Sequence, residues 1–182
     1  VSVIGEAYPA RAGFSEAAGF WYTDIGPLHQ LVHIWPYESF EQRLAVREAA
    51  LGAPGWPPAT SQFLTETSSE IYLPVSFCPP LATGALGPVY EMRTYLVRPG
   101  MLDQLMARWE AALEERLKLS PLLLAMVSEH GHLNRFVHIW PYESLQHRAE
   151  VRAEAQAMGI WPPKGGRQLS LRQESKILLP TP

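Results

Sequence analysis

The chain has 182 residues, 47% of them hydrophobic, and its 15 Lys and Arg against 18 Asp and Glu leave a formal net charge of -3. This is the composition of a globular protein with a real core, and it excludes intrinsic disorder. Charges scattered without a block of either sign give no footprint for nucleic acid or an anionic lipid surface. No apolar run reaches the roughly 20 residues of a membrane-spanning helix. A single cysteine, Cys78, cannot form an internal disulfide and fits a reducing compartment. The cytoplasm is therefore the expected location, with the mitochondrion as the alternative if a transit peptide precedes Val1.

In chain order, residues 1–19 offer too little length for both a strand and a helix. Residues 20–24 and 29–37 are rich in β-formers and are joined at Ile25-Gly26-Pro27, which predicts a hairpin. Ser39 is placed to cap a helix, with Gln42 available for a capping box, and Gly52 ends it. A strand is predicted near 66–73, and the Pro- and Gly-rich stretch 79–88 reads as a linker. Residues 89–97 alternate, with Glu91, Arg93 and Tyr95 on one face, until Pro99-Gly100 stops the strand. From 101 to 119, Leu102, Leu105, Met106, Trp109, Leu113 and Leu117 mark one face of a helix, and Asp103 suits its first turn. Strands are predicted over 122–129 and 134–142, joined at His130-Gly131-His132, then a helix capped by Ser144 that runs to Met158, then a strand over 169–179.

The chain also repeats itself. Val32-His33-Ile34-Trp35-Pro36-Tyr37-Glu38-Ser39 recurs unchanged as Val137-His138-Ile139-Trp140-Pro141-Tyr142-Glu143-Ser144. The same register aligns Arg43 with Arg148, Arg47 with Arg152 and Trp56 with Trp161, and one slipped residue later Ile71 meets Ile177. The second copy reads βαββαβ, the split βαβ order of ferredoxin-like folds. The fold class expected is therefore α+β: tandem ferredoxin-like modules with antiparallel sheets packed face to face. The domains expected are a first module over 1–78 that lacks its first strand and helix, a linker over 79–88, and a complete second module over 89–182. The first strand of such a sheet is central, and its backbone groups must find partners, so missing residues or another chain would have to supply it.

The two segments 32–39 and 137–144, with Gly26-Pro27-Leu28 and Gly131-His132-Leu133 before them, resemble the NIPSNAP family. So do Gly87-Pro88-Val89-Tyr90-Glu91-Met92-Arg93-Thr94-Tyr95 and the closing Glu174-Ser175-Lys176-Ile177. The resemblance implies two modules of the dimeric α/β barrel superfamily. The family's biochemical activity is unsettled, so the resemblance implies a fold and leaves the role open.

Alternation along the repeated strands decides what each face shows. Leu31, His33 and Trp35 share one face, as do Phe136, His138 and Trp140, while Val32, Ile34, Val137 and Ile139 take the other. The aliphatic face is expected beneath the helices and the His-Trp face is expected to line the central space. On that reading His33 and His138 are candidate bases oriented by Glu38 and Glu143, and Trp35, Tyr37, Arg43, Trp140, Tyr142 and Arg148 are candidate pocket-binding residues. The competing reading makes the same rings core and the arginines solvated. His130 and His132 have Ile25 and Pro27 as counterparts, so a metal site would not be shared by the copies, and no metal is expected. Lys164-Gly165-Gly166 matches no phosphate loop or dinucleotide fingerprint, and no cofactor is expected. Cys78, flanked by proline, reads as a linker thiol.

Two functions compete. The preferred one is a non-enzymatic binding or scaffold module that forms a homo-oligomer, with a small apolar ligand or a protein as further partner. The alternative is a small-molecule enzyme resembling the cofactor-independent monooxygenases of the same superfamily, with a His/Trp-lined barrel pocket.

Overall fold

Ser39 and Ser144 start the same helix in the two copies. Each sits in extended backbone and accepts a hydrogen bond from the backbone N–H three residues on, that of Gln42 or His147. In the first copy the Gln42 side chain reaches back to the N–H of Glu38, one residue before the position a capping box would use. Gly26 and Gly131 both take positive φ in the hairpin turns, as do His29 and Asn134 three residues later, so both hairpins turn alike.

The computed structural model describes residues 2–81 and 85–181. Its elements are α1 (Ser2–Ala12), β1 (Gly19–Ile25), β2 (Leu31–Ile34), α2 (Phe40–Leu51), β3 (Ile71–Pro74), β4 (Val89–Val97), α3 (Leu102–Leu117), β5 (Leu124–His130), β6 (Arg135–Tyr142), α4 (Leu145–Ala157) and β7 (Ser170–Pro180). Of the predicted linker, residues 82–84 lie outside the described residues. The segment before it is packed: Phe77 stacks on Trp109, and Cys78 and Leu81 lie against an interior cluster. The Cys78 Sγ accepts the N–H of Ala125 at 3.4 Å, and burial raises its thiol pKa.

The first copy has its helix, contrary to the sequence expectation. The offset that relates Val32 to Val137 also relates α1 to the last part of α3 and Arg11 to Arg116. Pro9 and Gly5 inside α1 broke the apolar periodicity by which helices are read.

All strand pairs are antiparallel, and they form one seven-stranded sheet in the order β2-β1-β7-β4-β6-β5-β3. The run β7-β4-β6-β5 is a whole ferredoxin-like sheet. The first copy's strands do not stand together: the β1–β2 hairpin extends the sheet beyond β7, and β3 extends it beyond β5. The sheet is curled, since Val32 and Ile34 of β2 pack against a cluster containing Val137 and Ile139 of β6, although β1, β7 and β4 intervene. Faces of the two halves thus meet across the interior as expected of the α/β barrel class, within one continuous sheet.

The expected faces are reversed. Phe136, Trp140 and Tyr142 lie beneath the helices with Trp109 and Leu113 of α3 and Val151 of α4. Val137 and Ile139 instead meet Trp21, Tyr90 and Leu178 in the interior. The repeat's rings pack against Trp109 between sheet and helices, while its aliphatic residues fill the space left in the interior beside the Trp21 and Tyr90 rings.

Candidate functional site

In the second copy, β6 sets His138 and Trp140 side by side toward α3. The Trp140 indole Nε1–H donates to His138 Nδ1 at 2.7 Å, which leaves the ring proton on Nε2. Tyr95, Trp109 and Phe136 crowd this imidazole with ring centroids 4.9, 4.4 and 5.3 Å away, and it is 1% exposed. Nε2 has no hydrogen-bond partner among the described residues. Burial first, and then the positive charge of Arg93, hold its pKa well below the ordinary value, so it stays neutral.

Beside it, β4 buries Glu91 completely. Its carboxylate accepts from Arg148 at 2.6 Å, Arg93 at 3.1 Å, Arg152 at 3.4 Å and the Ser175 hydroxyl at 2.7 Å. Burial acts to raise the Glu91 pKa, but the Arg148 hydrogen bond and the charges of Arg152 and Arg148 outweigh it and bring it down to about 2. On the other side of Trp140, Arg116 of α3 stacks its guanidinium 4.2 Å from the ring and donates to the Ser120 Oγ at 2.9 Å and the Tyr142 hydroxyl at 3.2 Å.

The first copy repeats part of this arrangement. Trp35 Nε1–H donates to His33 Nδ1 at 2.7 Å, and Arg11 lies 4.3 Å over Trp35 and donates to Ser15 Oγ and the Tyr37 hydroxyl, each at 2.8 Å. His33, however, is exposed and Trp35 and Tyr37 are only half-buried. Among the described residues neither Arg43 nor Arg47 forms an ion pair; Arg43 lies 5.7 Å from the Phe40 ring.

This twofold constellation corresponds to a family pattern: the NIPSNAP family model matches residues 2–79 and again residues 90–182. The chain belongs to the NIPSNAP family. Protein NipSnap of Drosophila melanogaster is 29% identical over 150 residues, 80% of this chain and 55% of that protein. Protein NipSnap homolog 2 of Mus musculus is 27% identical over 182 residues, 97% of this chain and 63% of the mouse protein. The chain thus spans less than two thirds of the length of these curated relatives. A Fusobacterium nucleatum protein named "Putative monooxygenase" shares the fold at a TM-score of 0.57 and 9% identity, over 96% of this chain and 83% of that one.

In this NIPSNAP chain the candidate site residues fall into two groups. Trp140, Tyr142 and Arg148 join His138 in the second copy's shell, and Arg148 is turned onto Glu91. Trp35, Tyr37 and Arg43 stand with His33 in the more open first copy. Among the described residues the hydrogen bonds to His33 and His138 come from Trp35 and Trp140, and neither Glu38 nor Glu143 is bonded to them; the backbone N–H groups of these glutamates donate to Gln42 and to His147. A cleft of about 380 Å³ opens elsewhere, bordered by Ile4 and Tyr8 of α1, Phe20 and Trp21 of β1, Tyr90 and Thr181, with none of the candidate residues in its wall. His132 is bonded to Glu70, which also accepts from Arg135 and Tyr72, and among the described residues no group of three or more His, Cys, Asp or Glu is disposed to hold a metal. No helix is long and apolar enough to cross a membrane among the described residues.

Sequence reasoning missed Glu91, Arg93, Arg152, Arg11 and Arg116. Two signals were present: a charged face on an otherwise apolar strand, and arginines repeated at the offset of the octapeptide.

Proposed function

We propose that this NIPSNAP protein is a non-enzymatic binding or scaffold module that self-associates. One observation carries the reading: the same octapeptide is enclosed in one copy and open in the other. In the second copy the imidazole is shut off from solvent, its Nδ1 occupied by Trp140, so it serves packing rather than proton transfer. The first copy leaves apolar surface free, and α2 carries Phe40, Leu44 and Leu51, 52%, 51% and 65% exposed, at helical spacing along one side. The corresponding residues of α4 are Leu145, Ala149 and Gln156, so this stripe is particular to the first copy. An apolar stripe of that kind is suited to a second copy of the chain. The free, half-buried Cys78 suits a reducing compartment, and the cytoplasm is where this reading puts the protein.

Light scattering coupled to size-exclusion chromatography tests the proposal. The whole chain is expected to run as a dimer or larger at micromolar concentration, and the variant Phe40→Ser/Leu44→Ser as a smaller species. A monomer at that concentration, or an assembly untouched by both substitutions, overturns it.

A further inference from the structure

Glu91 serves three arginines at once: Arg93 on its own strand, and Arg148 and Arg152, one turn apart on the same side of α4. Its Oε1 already accepts from Arg148, Arg93 and the Ser175 hydroxyl, and its Oε2 accepts from Arg152 at 3.4 Å. Among the described residues no second carboxylate pairs with any of the three. Glu91, with its pKa near 2, is ionised at neutral pH, so three positive charges face one negative charge and two stay uncompensated.

Donors are left over as well as charge. Among the described residues the guanidiniums of Arg148 and Arg152 are bonded only to Glu91, and Arg93 adds only its Nε–H to the Tyr95 hydroxyl at 3.1 Å. The Arg148 Nε is buried without an acceptor, and so is Nε2 of His138, which stands opposite Arg93 on β6. Buried donors without acceptors are costly, and the planar guanidinium fork fits two oxygens of one oxyanion. The cluster still reaches solvent. The side chains of Arg93, Arg148 and Arg152 are 16%, 24% and 39% exposed, and on β7 Ser175 and Gln173, paired with Arg93 and Tyr95 on the same face, are exposed. Partial burial makes the attraction for an anion stronger than in open water. The chain as a whole carries a net charge of -3, so the positive excess is local and suits a small anion better than a polyanion.

We propose that Arg93, Arg148 and Arg152 form a binding site for a small, doubly charged oxyanion, a phosphate ion or phosphate monoester, held by the donors that Glu91 leaves free, with Ser175 and Gln173 at its mouth. Two negative charges match the uncompensated two, and the tetrahedral oxygens accept from more than one guanidinium. Every group in the site belongs to the second copy, so the site is independent of self-association through α2.

The test is calorimetric titration of the whole chain with inorganic phosphate at constant ionic strength. Saturable binding at one phosphate per chain is expected, with acetate at least tenfold weaker. Methyl phosphate binding at least as tightly assigns the site to a monoester, and tighter binding of the inorganic ion assigns it to free phosphate. Arg152→Gln should weaken phosphate at least tenfold, whereas Arg47→Gln, which removes the corresponding exposed charge of the first copy, should leave it unchanged. If circular dichroism shows that loss of Arg152 disturbs the fold, Gln173→Glu tests the same point: this exposed side chain is bonded to no other among the described residues, and a carboxylate there should repel phosphate and weaken it comparably. In NMR spectra the Nε–H resonances of Arg148 and Arg152 should shift as phosphate saturates. No saturable binding, acetate bound as tightly as phosphate, an equal loss with Arg47→Gln, or binding untouched by Arg152→Gln and Gln173→Glu overturns the proposal. Phe40→Ser/Leu44→Ser should bind phosphate as the parent chain does, so a failure of self-association and a failure of this site are read separately.

Discussion

Arg11 and Arg116 hold the same place in their two copies: each guanidinium stacks on the repeat's tryptophan, at 4.3 and 4.2 Å, and each donates to the serine four residues on and to the repeat's tyrosine. The arginine fixes helix to strand. It does so with directed hydrogen bonds, so it sets register as well as adding contact.

Arg116→Ala should therefore cost about 2–4 kcal/mol, because it strips the Tyr142 hydroxyl and Ser120 of a buried charged donor and uncovers Trp140. Arg11→Ala should cost less, since the ring it covers is already half in water. Urea unfolding of the two variants compares them directly, and equal losses would show that α1 is as firmly seated as α3.

The two tryptophans should respond unequally. Trp140 is 3% exposed within the larger aromatic core, and Trp140→Ala is expected to destabilise by about 3–5 kcal/mol. Trp35 has the same sequence neighbours but is half-buried, so Trp35→Ala should cost under about 2 kcal/mol. Denaturant midpoints at constant m would verify both. A Trp35 loss as large as that of Trp140 would mean that the first copy is enclosed in solution, as self-association would do.

His138 should not titrate in the folded protein near neutral pH. Its burial and the nearby Arg93 hold its pKa well below the ordinary histidine value of 6.5, while the unfolded chain takes up a proton near that value. The folded state binds fewer protons below that pH, so the contribution to stability is whole above it and is lost as pH falls from it toward the folded pKa. The His138 imidazole proton resonance should stay flat from pH 8 to 5. A midpoint near 6.5 would show that water reaches the ring.

Much of the frame was legible in the sequence because the repeat fixes it. Strands, hairpins, serine caps and the apolar face of α3 are local patterns, and the repeat shows most of them twice over. The direction of the repeated strand was not legible. Alternation separates His138 and Trp140 from Val137 and Ile139, but which set meets the helices depends on the residues that other elements bring to each side, which no single strand encodes. α1 escaped notice because Pro9 and Gly5 blur its period. The crossing of β3 onto β5 escaped because its four residues carry no register signal of their own.

Glu91 gives the sharpest pH prediction. Its folded pKa near 2 lies below the 4.5 of an unperturbed carboxyl, so the folded state holds its charge where the unfolded chain is already taking up a proton. The stabilisation is complete above the unfolded value and is lost as pH falls from about 4.5 toward 2. At about 1.4 kcal/mol per pH unit of separation, the loss over that window is roughly 3 kcal/mol. Glu91→Gln keeps the shape but leaves Arg148 and Arg152 without their carboxylate, so it should be less stable at neutral pH by roughly 3 kcal/mol and should lose the acid-dependent part of the decline. Thermal or urea unfolding of both proteins at pH 7, 4 and 3 would show the two curves converging as pH falls. Parallel curves would mean that Glu91 is not the group whose charge the arginines hold.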